Sequence, residues 1–292
     1  MNVLDLFSGI GGFSLGLERS GMKTVAFCEQ DVECRKVLNK YWPNVKIFKD
    51  IKNMKYKDNH FGHSKGEGAF WNETEIDLIC GGFPCQDISI AGKQKGLKGE
   101  RSSLWFEFKR IIKEVRPKYV IVENVANLRN QGLNEILKDF GSIGYDCEWH
   151  IISARSIGAP HLRERIWIIA HANVEKTPGL PSTEASERTG IRIKSGDGVN
   201  KSPNSNDFRF WKPTSSEKEK SEWWAKTTAN LSHWSKIEPP ICGVANGLSG
   251  KLDRPRKERI KQLGNSVVPQ IPELIGRALM NYEKQKKDNK ND

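Results

Sequence analysis

Cys85 is the clearest candidate nucleophile in the sequence. It stands in GGFPCQDIS (81–89), directly after a predicted strand and at the start of a polar loop. A thiolate is a strong nucleophile, and a reactive cysteine needs an exposed position of this kind. A lone cysteine is more often a small buried hydrophobic residue, but a residue that begins a polar loop fits that description poorly. The loop is predicted to close over a bound substrate because it contains three glycines: Gly92, Gly96 and Gly99.

A carboxylate and two arginines could act beside that cysteine. Glu123 ends the very apolar stretch YVIVEN (119–124), where burial would raise its pKa and let it share a proton with a heterocycle nitrogen. A helix cap or a satisfied buried acid explains Glu123 equally well. Arg163 and Arg165 alternate in HLRER (161–165) and therefore point the same way. They could stabilise negative charge or bind a phosphate, and a surface salt-bridge ladder is the alternative.

A second group of residues favours a nucleoside ligand. The stretch DLFSGIGG (5–12) joins a strand to a helix through a glycine turn that presents backbone N–H groups. It is not the dinucleotide fingerprint, because Ser14 takes the place of its last glycine. Glu29 ends the second strand, where an acidic residue typically grips ribose hydroxyls, and Asp50 follows the third strand at a natural adenine edge. Either could instead cap a helix. The polar turn GNSVVP (264–269) could close the pocket.

These residues must be positioned by an α/β fold. Apolar runs predict strands at 2–7, 23–29, 45–48, 76–82, 118–124, 147–153 and 165–170. Helical patterns lie between them at 12–21, 31–39, 103–115 and 133–144, and a further helix is predicted at 267–284. This rhythm indicates a mostly parallel sheet covered by helices on both faces. Ligands of such sheets bind at the carboxyl ends of the strands.

Composition limits the class of protein. The 292 residues include 47 Lys and Arg against 36 Asp and Glu, a net charge of +11 that favours a polyanionic partner. No apolar run approaches the roughly 20 residues that a membrane span needs. The first residues do not resemble a secretory signal, and six scattered cysteines suggest reduced thiols in a cytoplasm. No cysteine or histidine pairs suggest a metal site.

The sequence changes character at about residue 171. From there to about 240 it is rich in Ser, Thr, Asn, Gly and Pro, yet it holds four of the nine tryptophans: Trp211, Trp223, Trp224 and Trp234. A disordered linker rarely carries so many large aromatic residues. We therefore expect a core domain at 1–171, a small inserted domain at 172–257 and a segment at 258–292 that returns to the core domain.

Five motifs in this order resemble the bacterial or phage type of DNA (cytosine-5)-methyltransferase: DLFSGIGGFSLGLE, GGFPCQDIS, ENV, the RER of HLRER, and QLGNSVVPQIP. The resemblance implies a Rossmann-like S-adenosylmethionine-dependent methyltransferase sheet with a small inserted target-recognition domain. It implies S-adenosyl-L-methionine as methyl donor and S-adenosyl-L-homocysteine as product. The implied donor-binding residues are Phe7, Ser8, Gly9, Gly11, Gly12, Glu29, Gln30, Asp50, Ile51, Pro84, Leu104, Asn265, Ser266 and Val267.

The same resemblance implies a covalent mechanism. Cys85 attacks carbon 6 of a cytosine flipped out of double-stranded DNA, and Glu123 contacts the ring nitrogen and the exocyclic amine. Arg163 and Arg165 help to hold the base and the loop. The residues implied to contact DNA lie on the closing loop and in the inserted domain: Gln86, Ser89, Arg101, Arg209 and Lys212. The implied setting is the cytoplasm of a bacterial or phage-infected cell, with no membrane. The protein is expected to be a monomer, with a cognate restriction endonuclease as a partner.

Two other functions stay open. A tRNA cytosine methyltransferase would use the same chemistry, but the Cys-Phe-Thr tripeptide expected of that group is absent from the recognition region. An inactive nucleic-acid-binding relative would not need the intact Cys85 and Glu123. The chain departs from the family where His161-Leu162-Arg163 replaces the common Gln-Arg-Arg.

Overall fold

The structure is a computed structural model that describes residues 1–57, 60–63, 75–84, 104–159, 161–173 and 262–288. Within these ranges the strands are β1 (Asn2–Leu6), β2 (Lys23–Cys28), β3 (Lys46–Phe48), β4 (Met54–Lys57), β5 (His60–His63), β6 (Leu78–Gly81), β7 (Tyr119–Val125), β8 (Tyr145–Ser153) and β9 (Glu164–Ala172). The α-helices with assigned bounds are α1 (Gly12–Arg19), α2 (Val32–Tyr41), α3 (Leu104–Val115), α4 (Leu133–Ser142) and α5 (Gln270–Asp288).

Seven of these strands form one sheet in the order β3-β2-β1-β6-β7-β9-β8. The pairs from β3 to β7 are parallel, whereas β9 runs antiparallel to both β7 and β8. The predicted mostly parallel α/β sheet is therefore confirmed. The inserted domain predicted at 172–257 lies outside the described residues from position 174 onward.

Successive side chains along each strand point to opposite faces of the sheet and pack in two separate cores, one on each face. On β7, Val120 and Val122 join the core covered by α3 and α4, while Tyr119 and Ile121 join the core covered by α1 and α5. All four are buried, with at most 4% of their surface exposed. A strand with both faces covered reads as a continuous apolar run, which is why the sequence pattern located β7.

Helix α1 approaches the chain around α5 so closely that only glycine fits at two positions. A Cβ atom on Gly16 would lie 2.2 Å from the carbonyl oxygen of Pro269. A Cβ atom on Gly12 would lie 2.6 Å from the carbonyl oxygen of Val267. The segment before α5 is therefore held directly against the first turn of α1.

Two local features differ from the predicted elements. Strands β4 and β5 form an antiparallel hairpin that the sequence analysis did not find. Met54 is buried and Tyr56 is half-buried between lysines, so the pattern alternates over only four residues, which is too short to stand out. Residues 262–265 are helical, and the polar turn predicted at 264–269 therefore begins at Ser266. Among the described residues, no helix combines the length and the apolar character needed to cross a membrane.

Candidate active site

The carboxyl ends of β1, β2, β3, β6 and β7 lie at one edge of the sheet, because these neighbouring strands are parallel. Each is followed by a residue or turn that the sequence analysis selected. Strand β9 runs the opposite way, so its first residues reach the same edge, and Arg165 pairs with Val125 at the end of β7. The topology therefore brings together residues that lie up to 160 positions apart in the sequence.

The turn after β1 has the conformation expected of a loop that presents backbone amides. Phe7, Gly9 and Gly11 all have positive φ angles, of 55°, 54° and 87°. The amide of Gly9 donates to Oε2 of Glu29 at 2.7 Å, and the amide of Asp31 donates to Oε1 at 2.7 Å. Glu29 thus links the turn after β1 to the turn after β2, and its carboxylate is fixed in place at the predicted ribose position.

The turn after β3 is fixed by a helix cap and by a contact with α3. Asp50 Oδ1 accepts a hydrogen bond from the amide of Lys52 at 2.9 Å, so Asp50 does cap a short helical turn. The next residue, Ile51, is buried, and its carbonyl accepts from Arg110 Nη2 at 2.9 Å. Arg110 is itself held by Glu107 and Glu114 on α3. Arg110 is not among the predicted site residues, because nothing in a helical charge pattern shows a contact 59 residues away.

Leu104 and Gln30 complete the predicted donor-binding residues near these turns. Leu104 begins α3 and packs against the same core as Phe7. The ring of Phe7 lies edge to face with that of Phe108, with 6.0 Å between their centres. The carbonyl of Gln30 accepts from Arg35. Each of these residues therefore lies at the carboxyl edge or on an element that borders it.

Trp42 supports the glycine turn from below. A Cβ atom on Gly11 would lie 2.6 Å from the indole ring, which also packs against Phe27 at 5.3 Å between ring centres. Its Nε1 donates to the carboxylate of Glu18 at 2.9 Å. Trp42 is not among the predicted site residues, since the turn that it contacts lies 31 residues earlier in the sequence.

Asp5 is a buried carboxyl group beneath the same turn. It is fully buried on β1, and Oδ2 accepts from the hydroxyl of Ser14 on α1 at 2.7 Å. Burial raises its pKa to about 7, the Ser14 hydrogen bonds oppose that rise and the charge of Glu29 adds to it. Its place within the predicted strand at 2–7 gives no sign of this contact.

Glu123 lies near the carboxyl end of β7, with a cation beside it. Its side chain is buried, and Oε1 lies 3.0 Å from Arg165 Nε. Burial raises the pKa of Glu123 above its usual value, and the positive charges of Arg165 and Arg163 offset part of that rise. A Cβ atom on Gly82 would lie 3.0 Å from Oε2, so the glycine leaves room for this carboxylate. The arrangement can present a carboxyl group that holds a proton toward a ligand.

Asn124 fixes the backbone that leads to the predicted nucleophile. Its Nδ2 donates to the carbonyl of Phe83 at 3.2 Å, and its Oδ1 accepts from the amide of Val125 at 2.8 Å. Pro84 follows Phe83 and is the last described residue before the loop. The predicted nucleophile Cys85 lies outside the described residues. Five other predicted site residues also lie outside them: Gln86, Ser89, Arg101, Arg209 and Lys212.

The two arginines of HLRER have different partners. Arg165 pairs with Glu123 on β7, with its Nε 3.0 Å from Oε1. Arg163 donates from Nη1 to the carbonyl of Gly264 at 2.8 Å and from Nη2 to the carbonyl of Ser266 at 2.7 Å. The segment that contains Asn265, Ser266 and Val267 is therefore tied to the start of β9. The predicted contact of Arg163 with the base stays a prediction.

Comparison with known proteins gives the site its context. A profile of the family described as C-5 cytosine-specific DNA methylase matches residues 1–240. The chain is 34% identical over 180 residues to the Type II methyltransferase M.HhaI of Haemophilus parahaemolyticus, covering 59% of this chain and 50% of that protein. It is 34% identical over 178 residues to the Type II methyltransferase M2.BsuMI of Bacillus subtilis, covering 58% of this chain and 42% of that protein. The chain thus spans about half the length of these relatives, or less.

A solved structure shares the fold. It is the crystal structure of a protein assigned as a DNA modification methyltransferase encoded within a prophage of E. coli. The two chains are 21% identical, with a TM-score of 0.57, and the match covers 96% of this chain and 99% of the other. At that identity the likeness speaks for the fold alone.

Proposed function

Because the chain belongs to the C-5 cytosine-specific DNA methylase family, we propose that it transfers a methyl group from S-adenosyl-L-methionine to carbon 5 of a cytosine flipped out of double-stranded DNA. One observation carries the proposal. Glu123, paired with Arg165 at 3.0 Å, lies at the same sheet edge as the Phe83–Pro84 turn that leads into Cys85. Activation of a pyrimidine ring requires a nucleophilic thiol together with a carboxyl group that can hold a proton.

The residues at the carboxyl edge fit an adenosine-containing donor. The turn after β1 offers open space at Gly9, where a Cβ atom would meet nothing within 4 Å among the described residues. Glu29 would bind the ribose hydroxyls, Asp50 and the backbone of Ile51 would meet the adenine edge, and Phe7 would line the turn. Bound there, the sulfonium group supplies an electrophilic methyl group.

The protein's own groups would make the cytosine reactive. The thiolate of Cys85 adds to carbon 6 and forms a sulfur–carbon bond, which turns carbon 5 into a nucleophile. Glu123 holds a proton at the ring nitrogen N3 and so stabilises the electrons that move onto the ring. After methylation, loss of the proton on carbon 5 releases Cys85 by elimination. Extrusion of the base costs a few kcal/mol, which contacts to phosphates must offset.

The raised pKa of Glu123 supports its part in this sequence. A carboxyl group with a raised pKa holds a proton more readily than an ordinary carboxyl group does. Burial favours the neutral form, while Arg165 keeps the group oriented. The pair therefore allows Glu123 to hold a proton at a fixed position.

We propose further that residues 172–257 form the target-recognition domain, and that the chain acts as a cytoplasmic monomer on DNA, paired with a restriction endonuclease. The relatives are named Type II methyltransferases, and the net charge of +11 suits a polyanionic substrate. Bisulfite sequencing of host DNA with and without the gene would report both the activity and the recognition sequence. If the host methylates a motif but has no nuclease activity specific for that motif, the proposed pairing with a restriction endonuclease is contradicted.

The activity is tested with tritiated S-adenosyl-L-methionine and either DNA or tRNA. Label in DNA is expected, and label in tRNA alone would favour a tRNA methyltransferase. A duplex with 5-fluorocytosine should trap the protein covalently in the presence of the donor, because the fluorine cannot leave as a proton does. Cys85→Ala should form no adduct and transfer no methyl group while still binding S-adenosyl-L-homocysteine. Wild-type protein that labels neither substrate and forms no adduct would favour an inactive relative.

A further inference from the structure

Arg163 joins two parts of the chain that the sequence places about 100 residues apart. Its guanidinium donates two hydrogen bonds, to the carbonyls of Gly264 at 2.8 Å and Ser266 at 2.7 Å. A planar guanidinium that binds two acceptors fixes their orientation as well as their distance. The residue between these carbonyls, Asn265, is a predicted donor-binding residue, and Ser266 is another.

The other side of the same segment rests on the glycine turn. A Cβ atom on Gly12 would lie 2.6 Å from the carbonyl of Val267 and 2.9 Å from Oγ of Ser266. Both Arg163 and the first turn of α1 therefore contact the segment 264–267. The close approach at Gly12 limits movement of the segment toward α1, and the two hydrogen bonds of Arg163 hold it in this position.

The backbone around Arg163 is itself anchored. The carbonyl of Leu162 accepts from the amide of Ala154 at 2.8 Å and from Oγ of Ser153 at 2.6 Å. Arg163 has a φ angle of +33°, a conformation that costs energy for a residue with a side chain. A strained residue persists only where its surroundings fix it, so the direction of this side chain is determined by the fold.

Arg163 and Arg165 thus have separate tasks. We propose that Arg163 is a positioning residue that holds the segment Gly264–Val267 against the glycine turn and so sets the affinity for the methyl donor. Arg165, which contacts Glu123 at 3.0 Å, serves the base instead. This inference rests on the proposed function for the identity of the donor. The contacts by which Arg163 holds the segment Gly264–Val267 do not depend on that function.

Hydrogen–deuterium exchange on the full, ligand-free chain tests whether Arg163 holds the segment Gly264–Val267 in place. Arg163→Ala should speed amide exchange across residues 262–269 about tenfold or more, because the segment loses both bonds that hold it. Exchange across β6 should not change. Arg155→Ala removes an exposed arginine from the same connection between β8 and β9 and should behave like wild type. Unchanged exchange across 262–269 in Arg163→Ala would overturn the proposal.

Binding of S-adenosyl-L-homocysteine, measured by calorimetry, tests the consequence. Arg163→Ala should weaken binding about tenfold or more and should raise KM for S-adenosyl-L-methionine more than it lowers kcat. Arg163→Lys should be intermediate, because an ammonium group does not span both carbonyls as the guanidinium does. Arg165→Ala should lower kcat and keep the affinity within about twofold.

The outcomes separate the two proposals. An affinity in Arg163→Ala equal to that of wild type, or an equal loss in Arg165→Ala, would overturn the positioning role. A wild-type chain that binds no S-adenosyl-L-homocysteine would contradict the proposed function, and the exchange experiment would then still decide whether Arg163 holds the segment. If Arg163→Ala does not fold, Arg163→Lys provides the exchange and binding comparisons.

Discussion

At the scale of single residues, Glu123 is subject to two opposing influences. Burial disfavours its charged form, and the nearby Arg165 and Arg163 favour it. Burial prevails, so its pKa lies above the usual value. Burial favours the neutral form of the group, while the ion pair with Arg165 fixes its orientation.

Replacement of Glu123 by glutamine tests its role in proton handling. Glu123→Gln keeps the size of the side chain and can still bond a heterocycle, but it cannot exchange a proton. We expect kcat to fall about 100-fold or more, the usual contribution of a positioned acid or base. The affinity for S-adenosyl-L-homocysteine, measured by calorimetry, should stay within about twofold of wild type. A near-wild-type rate would refute the assigned role.

Asn124 offers a second test at this scale, because its amide group bonds both Phe83 and Val125. Asn124→Ala would leave a buried carbonyl and an amide without these partners, which costs about 1–3 kcal/mol of unfolding free energy. It should also slow covalent trapping by 5-fluorocytosine DNA, because the turn before Cys85 loses its anchor. Urea unfolding and the trapping rate are the measurements. The control is Asn130→Ala, at an exposed position six residues after Asn124. It should change neither the unfolding free energy nor the trapping rate.

Sequence reasoning located residues by type and by position after a strand, and it could do no more than that. Glu29 and Asp50 were selected because each follows a strand, and both lie at the sheet edge. Their fixed geometry depends on long-range contacts, such as Arg110 with the carbonyl of Ile51. No local pattern reports such contacts, because they form only when distant elements pack.

At the scale of elements, the apolar patterns predicted the strands of the main sheet well, since both faces of each central strand are buried. Asp31 begins the predicted helix at 31–39, and its side chain caps α2 by accepting from the amides of Glu33 and Cys34. The direction of β9 was not predicted. An antiparallel strand in this sheet has the same apolar composition as a parallel one, and only the connection between β8 and β9 determines its direction.

The contact between α1 and the segment before α5 is sensitive to a single methyl group. In Gly16→Ala the new Cβ atom would lie 2.2 Å from the carbonyl of Pro269, and backbone cannot move aside as a flexible side chain can. We expect a loss of about 1–3 kcal/mol in unfolding free energy, measured by urea denaturation. Gly141→Ala, in helix α4, is the matched control, because a Cβ atom there would meet no described residue within 4 Å. It should be neutral or stabilising by up to about 1 kcal/mol, and an equal loss in both variants would contradict the steric explanation.

At the scale of the whole molecule, several buried groups favour their neutral forms. Burial raises the pKa of the Cys28, Cys80 and Cys147 thiols and of the Tyr119 phenol, all of which titrate only in alkaline solution. Asp77 behaves oppositely. Although burial raises its pKa, hydrogen bonds from Lys118 and from the amide of Asn2 lower it below the usual value. Its contribution to stability is present above that usual value and is lost only in acid.

Between pH 5 and pH 8, therefore, Asp5 should dominate the pH dependence of stability among the described residues, with Glu123 acting in the same direction. The pKa of Asp5 is about 7 in the folded chain, against 3.8 for an ordinary aspartate. The folded state thus holds its proton more tightly than the unfolded state does. The corresponding stability is fully present below about pH 4 and is lost as the pH rises through about 7.

Asp5→Asn tests this account, because asparagine resembles a protonated aspartate that never ionises. Unfolding free energies from urea titrations at pH 5, 6, 7 and 8 should fall by a few kcal/mol in wild type and much less in Asp5→Asn. The variant should already be somewhat more stable than wild type at pH 5, because that pH lies above the ordinary aspartate value of 3.8, and the difference should widen by pH 8. Glu33→Gln, which removes an exposed carboxylate paired with Lys36 at 2.7 Å, should keep the wild-type slope. A slope unchanged in Asp5→Asn would show that the buried carboxyl on β1 does not govern this range, and a slope lost in Glu33→Gln would point to surface charge instead.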